Sequence, residues 1–365
     1  MRLIYCTSIA FSNKLANLVQ VHSMAKEFQR QLGEDFYLGV NYKNTDDKSI
    51  NIICFNSRKS YILAWKYLKF IKREKIEYIY CRESILLLCI IVFNKLFFRQ
   101  KIKVAYEIHA LPLGGWHSLI AENFLSKAVK NFIFVTENLR NSYIKKFRCA
   151  SKNMLVFPDA VDLSIFNIGM DKETARKELN LPQNKRIILY TGRFKTMDMD
   201  KGIIDILKAL KILDNDIIFL AIGGSKKDII EYEGKAKEEN VFDRVKFFGN
   251  VNQKTLAIYQ KASDLLLMPF PFTQHFAYYM SPLKMFEYMA SQRPIIASDL
   301  PSVREILNEN NSLLAKPGDS KDLARGIEEI LNNKELSDKI SKQAFFDVKQ
   351  YTWERRVKKI LDFIK

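Results

Sequence analysis

One pattern constrains this chain more than any other. A short apolar run, a polar loop and a stretch of helical spacing recur along its whole length. Apolar runs at 3–6, 36–40, 52–55, 78–81, 104–108, 131–135 and 154–157 alternate with helical segments at 15–28, 61–74, 85–98, 119–130 and 137–147. A second series has runs at 187–190, 217–222, 245–248, 265–268 and 294–297, with helical segments at 203–213, 228–239, 254–261 and 323–331. Parallel neighbours can only be joined by a crossover, so this rhythm predicts α/β architecture with mostly parallel, doubly wound sheets. Two series in 365 residues predict two domains. The polar, proline-broken stretch around 168–185 marks the join and gives domains at 1–167 and 168–351, followed by a final amphipathic helix at 352–365. Ligands of such sheets sit beyond the strand C-termini, so the loops after the strands hold the candidates.

In the first half, Ser12-Asn13-Lys14 opens the first helix and is placed to face a phosphate or a sugar. No glycine fingerprint accompanies it, which argues against a dinucleotide site there. His109 directly follows the strand Tyr106-Glu107-Ile108, ahead of the Leu113-Gly114-Gly115-Trp116 loop, and its place at a strand end favours a functional role over packing. In the second half, Gly192 allows close approach of a ligand to the backbone. Arg193 and Lys201 flank the mouth of the next loop, an arrangement that suits a diphosphate. Gly223-Gly224 and Gly249-Asn250-Val251 end the next two strands. In Ser281-Pro282-Leu283-Lys284, Ser281 is read as the helix N-cap and Pro282 as the first helical residue. Unpaired amides, the positive end of the helix dipole and Lys284 then form a phosphate cradle. Glu287, one turn on, is placed for the ribose.

Charge and cysteine content narrow the partners. The formal net charge is +17, and residues 1–165 hold 25 Lys and Arg against 13 Asp and Glu. Such an excess points to an anionic partner: a nucleic acid, anionic lipid headgroups or a phosphorylated substrate. The 82–103 segment mixes Arg82, Lys95, Arg99, Lys101 and Lys103 with Ile, Leu and Phe. It reads either as a helix dipping into a bilayer surface or as a core helix with snorkelling basic ends. Cys6, Cys54, Cys81, Cys89 and Cys149 form no C-x-x-C pair and read as free thiols of a reducing compartment. The apolar run after Met1-Arg2 is too short for a signal peptide, and 85–98 is shorter than the roughly 20 residues of a spanning helix. The expectation is a cytoplasmic protein, with room for peripheral contact at the inner face of the plasma membrane.

Taken together, the ordered markers resemble the retaining glycosyltransferases of family 4. These are Gly192-Arg193 with Lys201-Gly202, Gly223-Gly224, the strand ending at Gly249, Ala262-Ser263-Asp264, Glu287-Tyr288-Met289-Ala290, Arg293 to Ser298, and Pro317-Gly318-Asp319. The resemblance covers the chain and is densest over 187–330. It implies the GT-B fold, two Rossmann-like domains facing a central cleft, and transfer of a sugar from a UDP- or GDP-linked donor to a saccharide or lipid-linked acceptor in cell-surface polysaccharide synthesis. It also implies no metal and no cofactor beyond the donor. Arg193 and Lys201 would then hold the diphosphate with the amides around Ser281–Lys284, Glu287 the ribose, and Gly249–Val251 the base. His109 would approach the donor sugar from the N-terminal domain. In one position the chain departs from the family. The paired glutamates of the family lie eight apart, and the residue eight before Glu287 is Tyr279. Tyr279 and His275 are therefore the candidates for donor-sugar contact. A nucleotide-sugar epimerase or hydrolase, and an inactive GT-B binding protein, are the alternatives. A nucleic-acid binder lacks support from any recognition motif.

Overall fold

The computed structural model describes residues 1–12, 19–44, 48–112, 115–151 and 153–365. The chain forms two compact units, Met1–Asp159 with Trp353–Lys365, and Ala160–Thr352. The division falls ahead of the 167/168 join because the short Leu163–Phe166 helix buries Phe166 in the core of the second unit.

The first unit is built on seven parallel strands: β1 (Leu3–Cys6), β2 (Phe36–Val40), β3 (Ile52–Cys54), β4 (Tyr78–Cys81), β5 (Lys103–Ile108), β6 (Asn131–Phe134) and β7 (Asn153–Val156). Their order across the sheet is β3-β2-β1-β4-β5-β6-β7. Both faces are covered, which is why β1 reads as four consecutive buried apolar residues rather than an alternation. The first helix is described over Val19–Leu32 and runs past the expected end at 28, while 15–18 lie outside the described residues. Ser12 ends a short strand, Ala10–Ser12, paired in parallel with Tyr42–Asn44, and Asn13 and Lys14 lie outside the described residues. The expected 85–98 helix is Ser84–Phe93 followed by one π-helical turn, Asn94–Phe98. No helix among the described residues is long and apolar enough to cross a membrane.

The final helix, Trp353–Ile364, belongs to this unit and turns Trp353, Arg356, Val357, Ile360, Leu361 and Ile364 inward. Arg356 is fully buried. Its guanidinium meets Glu107 on β5 at 3.0 Å and donates to the Pro158 carbonyl at 2.8 Å. Burial alone would raise the Glu107 carboxyl, but Arg356 and His109 outweigh it and hold that group well below the usual carboxylate range.

The second unit repeats the plan with six parallel strands: β8 (Arg186–Thr191), β9 (Ile217–Ile222), β10 (Val245–Phe248), β11 (Leu265–Met268), β12 (Ile295–Ser298) and β13 (Leu313–Ala315). Their order is β10-β9-β8-β11-β12-β13. In both units the strand order reverses beside the first strand of the series, β1 in one and β8 in the other. Such a switch point opens a crevice beyond the strand ends. The Lys334–Val348 helix, 15 residues starting at an Asn333 cap, was not foreseen.

Removing one partner of a buried pair leaves the other charge unpaired, at a cost of about 3–5 kcal/mol. Arg356→Ala should lower stability by that order in urea denaturation. Arg356→Met with Glu107→Gln should recover much of the loss, since no lone charge then remains.

Candidate functional site

The second unit carries most of the candidate residues, and its strand register explains their grouping. Thr191 of β8, Ile222 of β9 and Phe248 of β10 stand side by side, so the three strands end flush. The next residue of each is Gly192, Gly223 or Gly249. The Gly192 amide donates to the Ile222 carbonyl at 2.7 Å, and the Gly223 amide to the Phe248 carbonyl at 3.0 Å. Gly192 and Gly223 have φ of 102° and 115°. A Cβ on Gly223 would sit 2.7 Å from the Gly192 carbonyl group, and one on Gly192 would sit 3.3 Å from Lys284 Cε. Positive φ asks for glycine at both positions, and at Gly223 the neighbouring backbone leaves no space for a Cβ as well. Gly249 is exposed and could carry a side chain without such a clash.

On the other side of the switch point, Gly202 (φ 89°) caps the Ile203–Leu210 helix. A Cβ there would lie 1.7 Å from the carbonyl oxygen of Pro269, just beyond β11. The Lys201-Gly202 pair is therefore pinned against the end of β11. Between Arg193 and Lys201 the chain makes a hairpin, Lys195–Thr196 against Met199–Asp200, with Met197 and Asp198 at its tip in left-handed conformation. Asp200 accepts from the Gly202 amide at 2.7 Å and from the Tyr232 hydroxyl. Among the described residues, no group of three or more His, Cys, Asp or Glu could hold a metal ion.

The Leu283–Ala290 helix runs between β11 and β12. Pro282 is its N-cap residue, in extended conformation, and no side chain caps the helix. The Ser281 cap predicted from sequence is thus not formed: proline is already extended at the cap position, so the helix begins one residue later. Lys284, in the first turn, is buried, and its Nζ has no hydrogen-bond partner among the described residues. The ammonium sits 3.4 Å above the centre of the Tyr190 ring and 5.4 Å from that of Phe270. Burial, helped by Lys201, pushes its pKa far down, against the pull of Glu287. Burial raises Glu287 to about 7, with Lys284 opposing. Lys201 is lowered to about 8 by burial and by nearby Arg193, which is itself exposed. Tyr288, the residue after Glu287, accepts from the Thr191 amide at 2.8 Å and donates to the Leu267 carbonyl at 3.4 Å, so this helix is bolted to the ends of β8 and β11.

Tyr279 is 97% buried, being 3% exposed, and its hydroxyl accepts from the Gln274 side chain at 2.9 Å. His275, in the short Gln274–Tyr278 helix, has a buried Nδ1 with no partner, and burial and Lys201 lower its pKa.

In the first unit, His109 follows β5 and is half-buried. Its Nε2 bonds to Glu107 Oε1 and lies 3.2 Å from the Gln20 amide nitrogen. The Gln20 amide also donates to Asp159 at 2.6 Å, and Arg82 donates to the Gln20 oxygen. An ionised carboxylate only accepts, so Glu107 fixes the hydrogen on Nε2 and leaves Nδ1 as the other ring atom on offer. Glu107 was passed over in the sequence. The available signal was a carboxylate inside an apolar strand, two residues before His109.

Glu287→Gln tests the ionisation of this site. A carboxyl raised from its ordinary 4.5 to about 7 holds its proton more tightly in the folded chain, so its contribution falls as pH rises through that window and is flat above it. Glu287→Gln should gain on wild type by on the order of 2–3 kcal/mol between pH 5 and pH 8, followed by chemical denaturation. Gly223→Ala should lose at least about 1–3 kcal/mol, because it combines positive φ with a backbone clash.

Comparison with known proteins identifies similar sequences and similar folds. Residues 171–345 match the family described as glycosyl transferases group 1. An uncharacterized glycosyltransferase of Methanocaldococcus jannaschii is 25% identical over 277 residues, 71% of this chain and 68% of that one. A Bacillus subtilis protein whose name assigns it to teichuronic acid biosynthesis is 28% identical over 173 residues, 47% of this chain and 40% of that one. Among solved structures, Anabaena HepE in complex with UDP matches with a TM-score of 0.80 at 16% identity, over 99% of this chain and 100% of that one, a likeness of fold.

Proposed function

We propose that this chain, whose residues 171–345 match the glycosyl transferases group 1 family, moves a sugar from a nucleoside diphosphate donor, UDP- or GDP-linked, to a saccharide or lipid-linked acceptor, with retention at the anomeric carbon. The observation that carries the donor reading is Lys284. A lysine held out of water with no hydrogen-bond partner is costly, and the cost is recovered when an anion arrives. It stands at the switch point, beside a glycine whose missing side chain leaves the approach open. Lys201 and Arg193 supply two further cations, and the uncapped amides at Leu283 and Lys284 supply donors. In this reading the diphosphate sits among them, and Glu287 accepts from the ribose hydroxyls. The base lies along Gly249, Asn250 and Val251.

During transfer, negative charge grows on the leaving diphosphate. Fixed cations and a helix N-terminus placed where that charge develops stabilise the transition state without reorganising. We therefore write the transfer without a metal or other cofactor, as attack from the same face that the leaving group departs. His109 offers Nδ1 as an acceptor for a sugar hydroxyl. The name of the Bacillus subtilis relative supports a cell-surface polysaccharide as the setting. The UDP complex of Anabaena HepE supports a nucleotide donor. Tyr279 favours a second reading, binding of the donor without transfer, because a buried phenol stands where the resemblance calls for a carboxylate. Label that moves from donor sugar into an acceptor would separate transfer from binding or hydrolysis.

Arg193→Ala and Lys201→Ala should each weaken UDP or GDP affinity by about 10–100-fold, the worth of a charge-assisted hydrogen bond. Isothermal calorimetry measures this directly, and unchanged affinity in both variants would remove the site. A thermal-shift panel of nucleotide sugars should pick out the donor, since a ligand at 100 times its Kd stabilises by about 2.7 kcal/mol.

A further inference from the structure

A second feature, in the first unit and independent of the donor site, is an apolar helical surface that the described residues of that unit leave uncovered. The Ser60–Glu74, Ser84–Phe93 and Trp116–Ala128 helices pack side by side, the middle one against both others. That middle helix is apolar at every position after Ser84, yet only Leu86, Leu87 and Ile90 are buried. A helix apolar all round belongs in a core or in lipid, and the other seven residues of this one are only partly buried. Its π-helical extension ends in a turn that is held firmly. The Asn94 side chain donates to the Gln100 carbonyl at 2.9 Å and accepts from its amide at 3.0 Å, and the Gln100 side chain donates to the Leu68 carbonyl at 3.1 Å. This turn projects Leu96, 58% exposed, and Phe97, 62% exposed. Trp65 of the neighbouring helix stacks edge-on against Phe93, Phe97 and Phe98. On the third helix Trp116 and Ile120 are 65% and 55% exposed.

Charge decides what fits this surface. Lys69, Lys72, Lys95, Arg99 and Lys101 are exposed around it. From Ser84 to Lys103 there is no Asp or Glu. On the flanking helices Glu74 is bonded by Arg73, and Glu122 is buried, accepting from Tyr106 and Tyr143. A second copy of this chain would bring the same positive charge to the same face. An anionic bilayer offers the complementary charge together with an apolar interior, and Trp and Phe are the residues that settle at its boundary. We propose that the outer face of these three helices docks on an anionic lipid bilayer, with the Leu96-Phe97 turn and Trp116 entering the headgroup region and the surrounding cations meeting the phosphates. The middle helix lies in the interface, since it is far shorter than the roughly 20 residues needed to span.

Sedimentation with phosphatidylcholine vesicles, with and without phosphatidylglycerol, tests this. The whole chain should bind the anionic vesicles, release as salt is raised, and show a blue shift of tryptophan emission from Trp65 and Trp116, with Trp353 already buried. Arg99→Ala with Lys101→Ala should cut the partition coefficient about 25-fold, roughly fivefold per cation. Leu96→Ser with Phe97→Ser should cut it at least about tenfold, as lost apolar burial. Both variants should keep their circular dichroism and their thermal response to UDP, which rests on residues of the other unit. No preference for anionic vesicles, or full binding by both variants, would overturn the proposal. So would concentration-dependent self-association that shifts the tryptophan emission without lipid, which would make the face a protein interface.

Discussion

The flush ending of β8, β9 and β10 is the constraint on which the second unit and its candidate site depend. Parallel register places Thr191, Ile222 and Phe248 in line, so the backbone must leave the sheet at the same level on three neighbouring strands. Two of these turns press on each other: Gly192 and Gly223 both take positive φ, and a Cβ on Gly223 would meet the Gly192 carbonyl group. A shallow shelf of bare backbone results, beside the switch point, where a ligand can approach closely.

The other residues of the site are referred to that shelf. Tyr288 ties the Leu283–Ala290 helix to the ends of β8 and β11 through its hydroxyl, and so brings Lys284 alongside Gly192. Gly202 presses on the backbone at Pro269 and so fixes Lys201. Lys284, Lys201 and Glu287 are all displaced from their ordinary titration ranges, and in each case burial is the leading cause. Charges gathered in a site that excludes water act more strongly on an arriving diphosphate than the same charges on an open surface would. The first unit uses burial differently. Arg356 and Glu107 are both buried, but they neutralise each other, and their pairing fixes the last helix and the ring of His109.

The parallel α/β plan was legible because a sheet covered on both faces needs continuous apolar strands, and 78–81, 217–222 and 265–268 read as such without knowledge of their neighbours. The donor-site residues were legible as types: glycines and cations at strand ends, a carboxylate one turn into a helix. Their state was not. Nothing local distinguishes Lys284 from a solvated lysine, because its isolation comes from Tyr190, Phe270 and Gly192, residues distant in the chain. The Ser281 cap failed for the converse reason. Local propensity offered a serine, but the extended proline that follows took the cap position itself.

The sequence by itself determined the periodicity, the two series of strands, the positive charge of the first half and the glycines that follow the strands, since each of these is a local property of spacing or side-chain chemistry. Tertiary structure decided which cation loses water, which carboxylate pairs with Arg356, and that Leu96, Phe97 and Trp116 stay outside the core on one helical layer. Burial and pairing are relations between residues far apart in the chain, and a one-dimensional pattern carries no distance between them.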